Sequence, residues 1–210
     1  SSSYPNWIRS RFLLAGMRAA VGREDVALAT RLVRQVDLAL MSPDQIAEFE
    51  LLSGSLDEIN GRYAEALESY GRVIAADRRP TTPEAVLRTI ALLDEMDRLD
   101  VPRAVATLSA QSAIWRGDTK ELAIIEKLVD LQYRNGSYRD AFSLTRQAAD
   151  INSNSDVLSR LMERAQVEFA GLYLDGQADS LDAIEALSIY YDFRQLTPAG
   201  TQGDLMIRNL

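Results

Sequence analysis

A short motif returns along this chain at nearly constant spacing, and a repeat of that length restricts the fold more than any single residue does. Gly61-Arg62-Tyr63-Ala64-Glu65-Ala66-Leu67-Glu68-Ser69-Tyr70 reappears in kind as Gly136-Ser137-Tyr138-Arg139-Asp140-Ala141-Phe142-Ser143-Leu144. Each copy has a glycine, an aromatic ring two residues later and an alanine three beyond that. Glycine takes positive φ at no steric cost and so closes a helix. The ring covers the turn, and Ala66 or Ala141 lets two helices approach closely. Weaker copies run from Gly22 to Ala27, Leu99 to Ala104 and Gly176 to Ala183. The anchors at 22, 61, 99, 136 and 176 are therefore about 37–40 residues apart, within the range of stacked helical hairpins.

The apolar pattern between the anchors agrees. Ile8, Phe12, Ala15 and Ala19 form one helical stripe, as do Leu158, Leu161, Met162, Ala165, Phe169 and Leu172. No segment alternates with period two, so sheet is not expected. Ser42-Pro43-Asp44 and Thr82-Pro83-Glu84 each place a capping residue before proline at a helix start, and Asp156 and Asp204 are further N-cap candidates. The expected fold is all-α: a right-handed α-solenoid of about five antiparallel helix hairpins, one domain over residues 1–210.

These residues carry a resemblance. The stretch from Glu48 to Pro80 looks like a tetratricopeptide repeat (TPR), with Gly54, Gly61, Tyr63, Ala66 and Tyr70 at the family's eighth, fifteenth, seventeenth, twentieth and twenty-fourth positions. Residues 123–153 resemble a second, with Leu128, Gly136, Tyr138, Ala141 and Ala148 in register. The other hairpins are degenerate and the period exceeds the usual ~34 residues, so the chain is TPR-like, with a HEAT-type or irregular helical repeat as the alternative. Tyr190–Pro198 followed by Gly203–Arg208 is similar to part of long TPR-like proteins of alphaproteobacteria. In those the chain runs on, and a terminal helix starting at Leu205 would be too short to stand alone. The expectation is a piece of a longer solenoid.

The resemblance implies a concave face lined by the first helix of each hairpin. In the two better registers that places Glu48, Leu51, Ser55 and Glu58, then Glu126, Asp130, Tyr133 and Arg134, on the face. The weaker registers add Arg9, Phe12, Thr89, Asp97, Gln166 and Tyr173. Family members that clamp a peptide carboxylate use Lys, Asn and Arg there, and Leu51, Ser55, Glu126 and Asp130 do not suit that task. The large rings Trp7, Trp115, Tyr190, Tyr191 and Phe193 are expected to pack into neighbouring hairpins.

Composition narrows the chemistry. The chain has no histidine and no cysteine, which removes imidazole general bases, thiol nucleophiles and thiolate metal sites. A net charge of −8 and a lack of clustered basic residues argue against nucleic acid. No apolar run reaches the ~18 residues that a membrane span requires. Asp57 with Glu58, or Glu126 with Asp130, pair carboxylates, but no nucleophile or phosphate-binding loop accompanies them. The run from Asp94 to Asp100 lacks the alternating ligands and central glycine of a calcium loop. No catalytic residue, metal or cofactor is expected. The expected role is a non-enzymatic scaffold for a basic or mixed-charge protein segment. The alternatives are a structural spacer, or a homodimer formed through the end hairpins; compartment is left open.

Overall fold

Apolar side chains recur at three and four along nearly every segment, and all regular structure among the described residues is helical. The computed structural model describes residues 6–114 and 119–209. It contains eleven α-helices there and no strand. Trp115 and the side chain of Trp7 lie outside the described residues. The chain divides into two compact units, Ser1–Leu99 and Asp100–Leu210.

The first unit holds α1 (Asn6–Val21), α2 (Val26–Val33), α3 (Pro43–Ile59), α4 (Tyr63–Ala76) and α5 (Thr81–Glu95). Helices α1 and α2 pair, as do α3 and α4, and the first helices α1, α3 and α5 are successive neighbours. Ser42 caps α3 reciprocally: its hydroxyl accepts from the Gln45 amide at 3.3 Å, and the Gln45 side chain accepts from the Ser42 amide at 3.0 Å. Thr82 does not cap α5. The helix starts one residue earlier, and the Thr81 and Thr82 hydroxyls both donate back to the Arg78 carbonyl. The stripe Ile8, Phe12, Ala15 and Ala19 is not the buried face of α1. Ser10, Leu14, Met17 and Ala20 turn inward instead, leaving Phe12 72% exposed. The inward stripe carries two long side chains, Leu14 and Met17, each of which gains about 1.5–3 kcal/mol on burial.

The second unit holds α6 (Val101–Ile114), α7 (Thr119–Arg134), α8 (Tyr138–Ile151), α9 (Asp156–Leu174), α10 (Ala183–Phe193) and α11 (Thr201–Arg208). Helix α7 packs on α6, α8 and α9, while α8 also meets α9 and α10. The core runs through the edge-to-face rings of Phe142 and Phe169, 5.6 Å apart, and on to Phe193, 5.3 Å from Phe142. Of the aromatic group at 190–193, Phe193 is buried and Tyr190 stacks on Phe169, but Tyr191 stays exposed. Ser155, not Asp156, caps α9. Asp204 lies within the first turn of α11, which starts at Thr201 behind Gly200.

Four interhelical turns share one hydrogen-bond pattern. The amides of Asp25, Arg62, Arg98 and Ser137 donate to the carbonyls five residues back, those of Ala20, Asp57, Leu93 and Gln132. In each, the residue before the donor is left-handed: Glu24 (φ 55), Gly61 (φ 70), Asp97 (φ 53) and Gly136 (φ 72). This is the Schellman closure. Only two of the four turns use glycine, so the glycine anchor at 22 and the leucine anchor at 99 fall two residues from the turning residue.

Close approach inside the α3–α4 hairpin depends on Gly54. A Cβ there would sit 2.7 Å from the Tyr70 ring and 3.1 Å from Ser69 Cβ. Adding 75 residues (136 − 61) carries Gly54 to Val129 and Tyr70 to Thr145. A very small and a very large residue are thus replaced by two of middling size, while the alanine is kept, Ala66 and Ala141 both being fully buried.

Gly54→Ala is expected to destabilise the protein by about 1–3 kcal/mol through overpacking. Gly71→Ala, on α4 with open space at its Cα, is expected to stabilise it by about 0.5–1 kcal/mol. Urea unfolding midpoints measure both. The same assay checks the turns: Glu24→Gly should stabilise and Gly61→Ala destabilise, each by about 1 kcal/mol.

Candidate functional site

In the second unit, α7 and α9 lie side by side and leave a groove of about 470 Å³ lined by Ala123, Glu126, Lys127, Asp130, Arg160, Leu161 and Arg164. Residues four apart share one helix face, so Glu126 and Asp130 on α7 face Arg160 and Arg164 on α9. Arg160 donates to Glu126 at 2.7 Å and Arg164 to Asp130 at 2.9 Å. Both pairs are separated by 34 residues. Lys127 and Arg134 lie 3.5 and 3.9 Å from Asp130. Arg164 also reaches Glu168 at 3.5 Å, and its guanidinium stands 5.0 Å over the Tyr133 ring. Arg164 is therefore held by two carboxylates above a buried core ring, while the groove itself is lined by charged side chains with Ala123 and Leu161.

Among the expected face residues, Glu126 and Asp130 line this groove. Arg134 approaches it only through Asp130, and Tyr133 is buried in the core beneath Arg164. In the first unit the equivalent positions are closed. Leu51 is buried with Ala66, Tyr70, Val73, Ala85 and Leu92, and the buried Ser55 hydroxyl donates to the Leu51 carbonyl. Glu48 pairs with Arg18 of α1 at 2.9 Å, and Glu58 accepts from the Tyr70 hydroxyl and lies 3.5 Å from Arg88 of α5. The Thr89 hydroxyl is buried without a hydrogen-bond partner. Asp97 belongs to the turn after α5. Gln166 is exposed on α9, while Tyr173 is buried and donates to the Ala186 carbonyl at 2.8 Å. Arg9 and Phe12 are exposed on α1.

Arg160 and Arg164 are groove residues that the family register passes over. A signal for them exists in the sequence: an acid and an arginine one repeat apart, twice, on the same stripe. That signal carries no direction, because many acid–base pairs in an arginine-rich helical chain have similar separations. The lining carries three basic groups against two acidic ones, 3 − 2 = +1. The face read as mostly acidic is thus balanced by α9, and a purely basic ligand loses its rationale there.

Burial pushes the Tyr133 hydroxyl well above its ordinary range, the Glu168 charge adds to this, and Arg164 opposes it only in part. Burial and the hydrogen bond to Glu58 do the same for Tyr70, and burial, followed by the neighbouring Tyr190, for Tyr173. None of the three serves as a base near neutral pH. Among the described residues, no three acidic side chains converge as metal ligands, and no helix is long and apolar enough to cross a membrane.

No family model matches the chain, and no match is found among curated proteins. Solved structures are similar in fold. The nearly identical TPR-like repeats assigned to a kinesin light chain of Podosopora anserina share 17% identity at a TM-score of 0.58, covering 90% of this chain and 94% of that one. Their Q17M form gives 16% and 0.59, covering 94% and 97%. BtubC (BKLC) from P. vanneervenii shares 15% at 0.60, covering 88% of this chain and 80% of that one. The fold is accordingly an all-α solenoid like that of these TPR-like repeats.

The buried tyrosines give a pH test. Their folded pKa values are raised, so the stability they contribute is complete below the ordinary tyrosine value near 10. It is lost as pH rises beyond that, because the unfolded chain releases protons that the folded one retains. In an alkaline titration, tyrosinate absorbance of Tyr70, Tyr133 and Tyr173 should rise only together with loss of helical circular dichroism.

Proposed function

We propose that this protein is a non-enzymatic interaction scaffold that holds a mixed-charge peptide or protein segment along the groove between α7 and α9. The observation that carries this reading is the paired ladder of Glu126–Arg160 and Asp130–Arg164, which sets acids on α7 opposite arginines on α9 across an open groove. Its value is geometric. The four charged side chains are 29–58% exposed, and ion pairs at such exposure contribute about 0–1 kcal/mol to stability. A stripe of this kind adds little to the fold, yet it presents oriented donors and acceptors along the groove. An incoming carboxylate competes for Arg160 or Arg164, and an incoming guanidinium or ammonium for Glu126 or Asp130. Because each groove charge already has a partner, a ligand of one sign leaves the other charges stranded, whereas a segment with both signs exchanges pair for pair. At the equivalent positions of the first unit Leu51 and Ser55 are sealed between helices.

Comparative capture with the whole chain tests the proposal. The wild type, a groove variant (Glu126→Ala, Asp130→Ala, Arg164→Ala) and an exposed control (Glu163→Ala) are compared after circular dichroism shows equal helicity. The expected outcome is a partner held by the wild type and the control but bound at least about tenfold more weakly by the groove variant, ~1.4 kcal/mol. Equal capture by all three forms would remove the groove from the reading.

A further inference from the structure

Two helices, one early and one late in the sequence, carry apolar stripes that are left exposed among the described residues. On α10, Ile184, Leu187 and Tyr191 follow one another at intervals of three and four residues and are 80, 44 and 62% exposed. The inward side of that helix is already filled by Ile189 and Phe193. On α1, Phe12, Ala15 and Ala19 are spaced in the same way, and all three are exposed. Solvated helix faces are ordinarily polar, so two stripes in matching register require an occupant.

The charges say which. Residues 6–34 carry six arginines against Glu24 and Asp25, a balance of 6 − 2 = +4. Residues 175–209 carry six acids against Arg194 and Arg208, a balance of 2 − 6 = −4. Within a chain of net charge −8, the α1 end is the basic surface and the α10 end an acidic one. Their shapes are complementary too. The α1 stripe is small apart from one ring, and the α10 stripe is bulky, the same small-against-large rule that joins helices inside the α3–α4 hairpin.

We propose that α1 of one copy docks along α10 of a second copy, with Phe12, Ala15 and Ala19 against Ile184, Leu187 and Tyr191. Arginines beside the first stripe, such as Arg9 and Arg11, then approach acids beside the second, such as Asp182 and Glu185. The contact is heterologous, because the two faces belong to different helices, so each added copy leaves one face of each kind open. Association therefore strengthens with concentration and weakens with salt, which screens the opposite charges at the rim. It leaves the α7–α9 groove unoccupied, so it stands or falls apart from the proposed function.

Sedimentation velocity of the intact chain tests this over a concentration series at low and high salt. Phe12→Asp and Ile184→Asp, both at exposed positions, are run beside the wild type after circular dichroism confirms helicity. The wild type is expected to sediment faster with concentration, less so at high salt, and each variant alone to stay monomeric. The equimolar mixture is the decisive arm. Phe12→Asp keeps the α10 face and Ile184→Asp keeps the α1 face, so the mixture should form a dimer and nothing larger. A wild type that stays monomeric up to its solubility limit would overturn the proposal. So would a mixture that stays monomeric, or a Phe12→Asp variant that associates as the wild type does.

Discussion

Close packing of two helices across a tight turn is the constraint on which the rest of this structure depends. A hairpin can bury its apolar stripes only where the facing volumes add up, because protein interiors have no room for slack. Around Gly54 the sum is met by the smallest residue against Tyr70, whose ring would stand 2.7 Å from any Cβ added there. One well-matched repeat later, Val129 and Thr145 meet the same need with two residues of middling size, both buried. The alanines at 66 and 141 are constant because they lie where the helix axes approach, and there the backbone leaves no space to exchange.

That packing choice separates the two units chemically. Where Tyr70 fills the hairpin, its hydroxyl reaches Ser55 and Glu58, and the first-helix face around Leu51 closes over an apolar cluster. Where Thr145 stands instead, the ring beneath Arg164 comes from Tyr133, and charged residues stay at the surface to pair with α9. The repeat aromatic has a further task in both units. Tyr63 donates to Glu95 at 3.0 Å and Tyr138 to Gln177 at 3.0 Å, so each ring that covers its own turn also fastens the end of the next first helix. One residue type at one repeat position thus joins a turn to its neighbour, and stacking follows from local chemistry.

Much of the fold is legible from residue order because helical period, turn closure and capping are local. Gly61 and Gly136 announce their turns, and the Ser42 cap with proline behind it announces α3. The turns at Glu24 and Asp97 are harder to read, since acidic residues in the left-handed region look like ordinary surface residues. The face of α1 is harder still. Two stripes on it are apolar, and only the competition between Leu14 with Met17 and Phe12 with alanines decides which turns inward. The groove is partly legible: Glu126 and Asp130 follow from the register, whereas Arg160 and Arg164 come from a helix whose register is degenerate.

What the sequence by itself determined is the class of object: helices of a given length, closed by recurring turns, in a chain without imidazole or thiol chemistry. Those properties depend on residues a few positions apart, and the chain cannot alter them on folding. What only the tertiary structure decided is which of the like-looking positions meet. Leu51 and Glu126 occupy equivalent places in two repeats, yet one is sealed in a core and the other faces an arginine 34 residues away. The reason is physical. Burial and ion pairing depend on the volume and charge of the neighbouring helix, and that neighbour is brought into place by packing between distant segments.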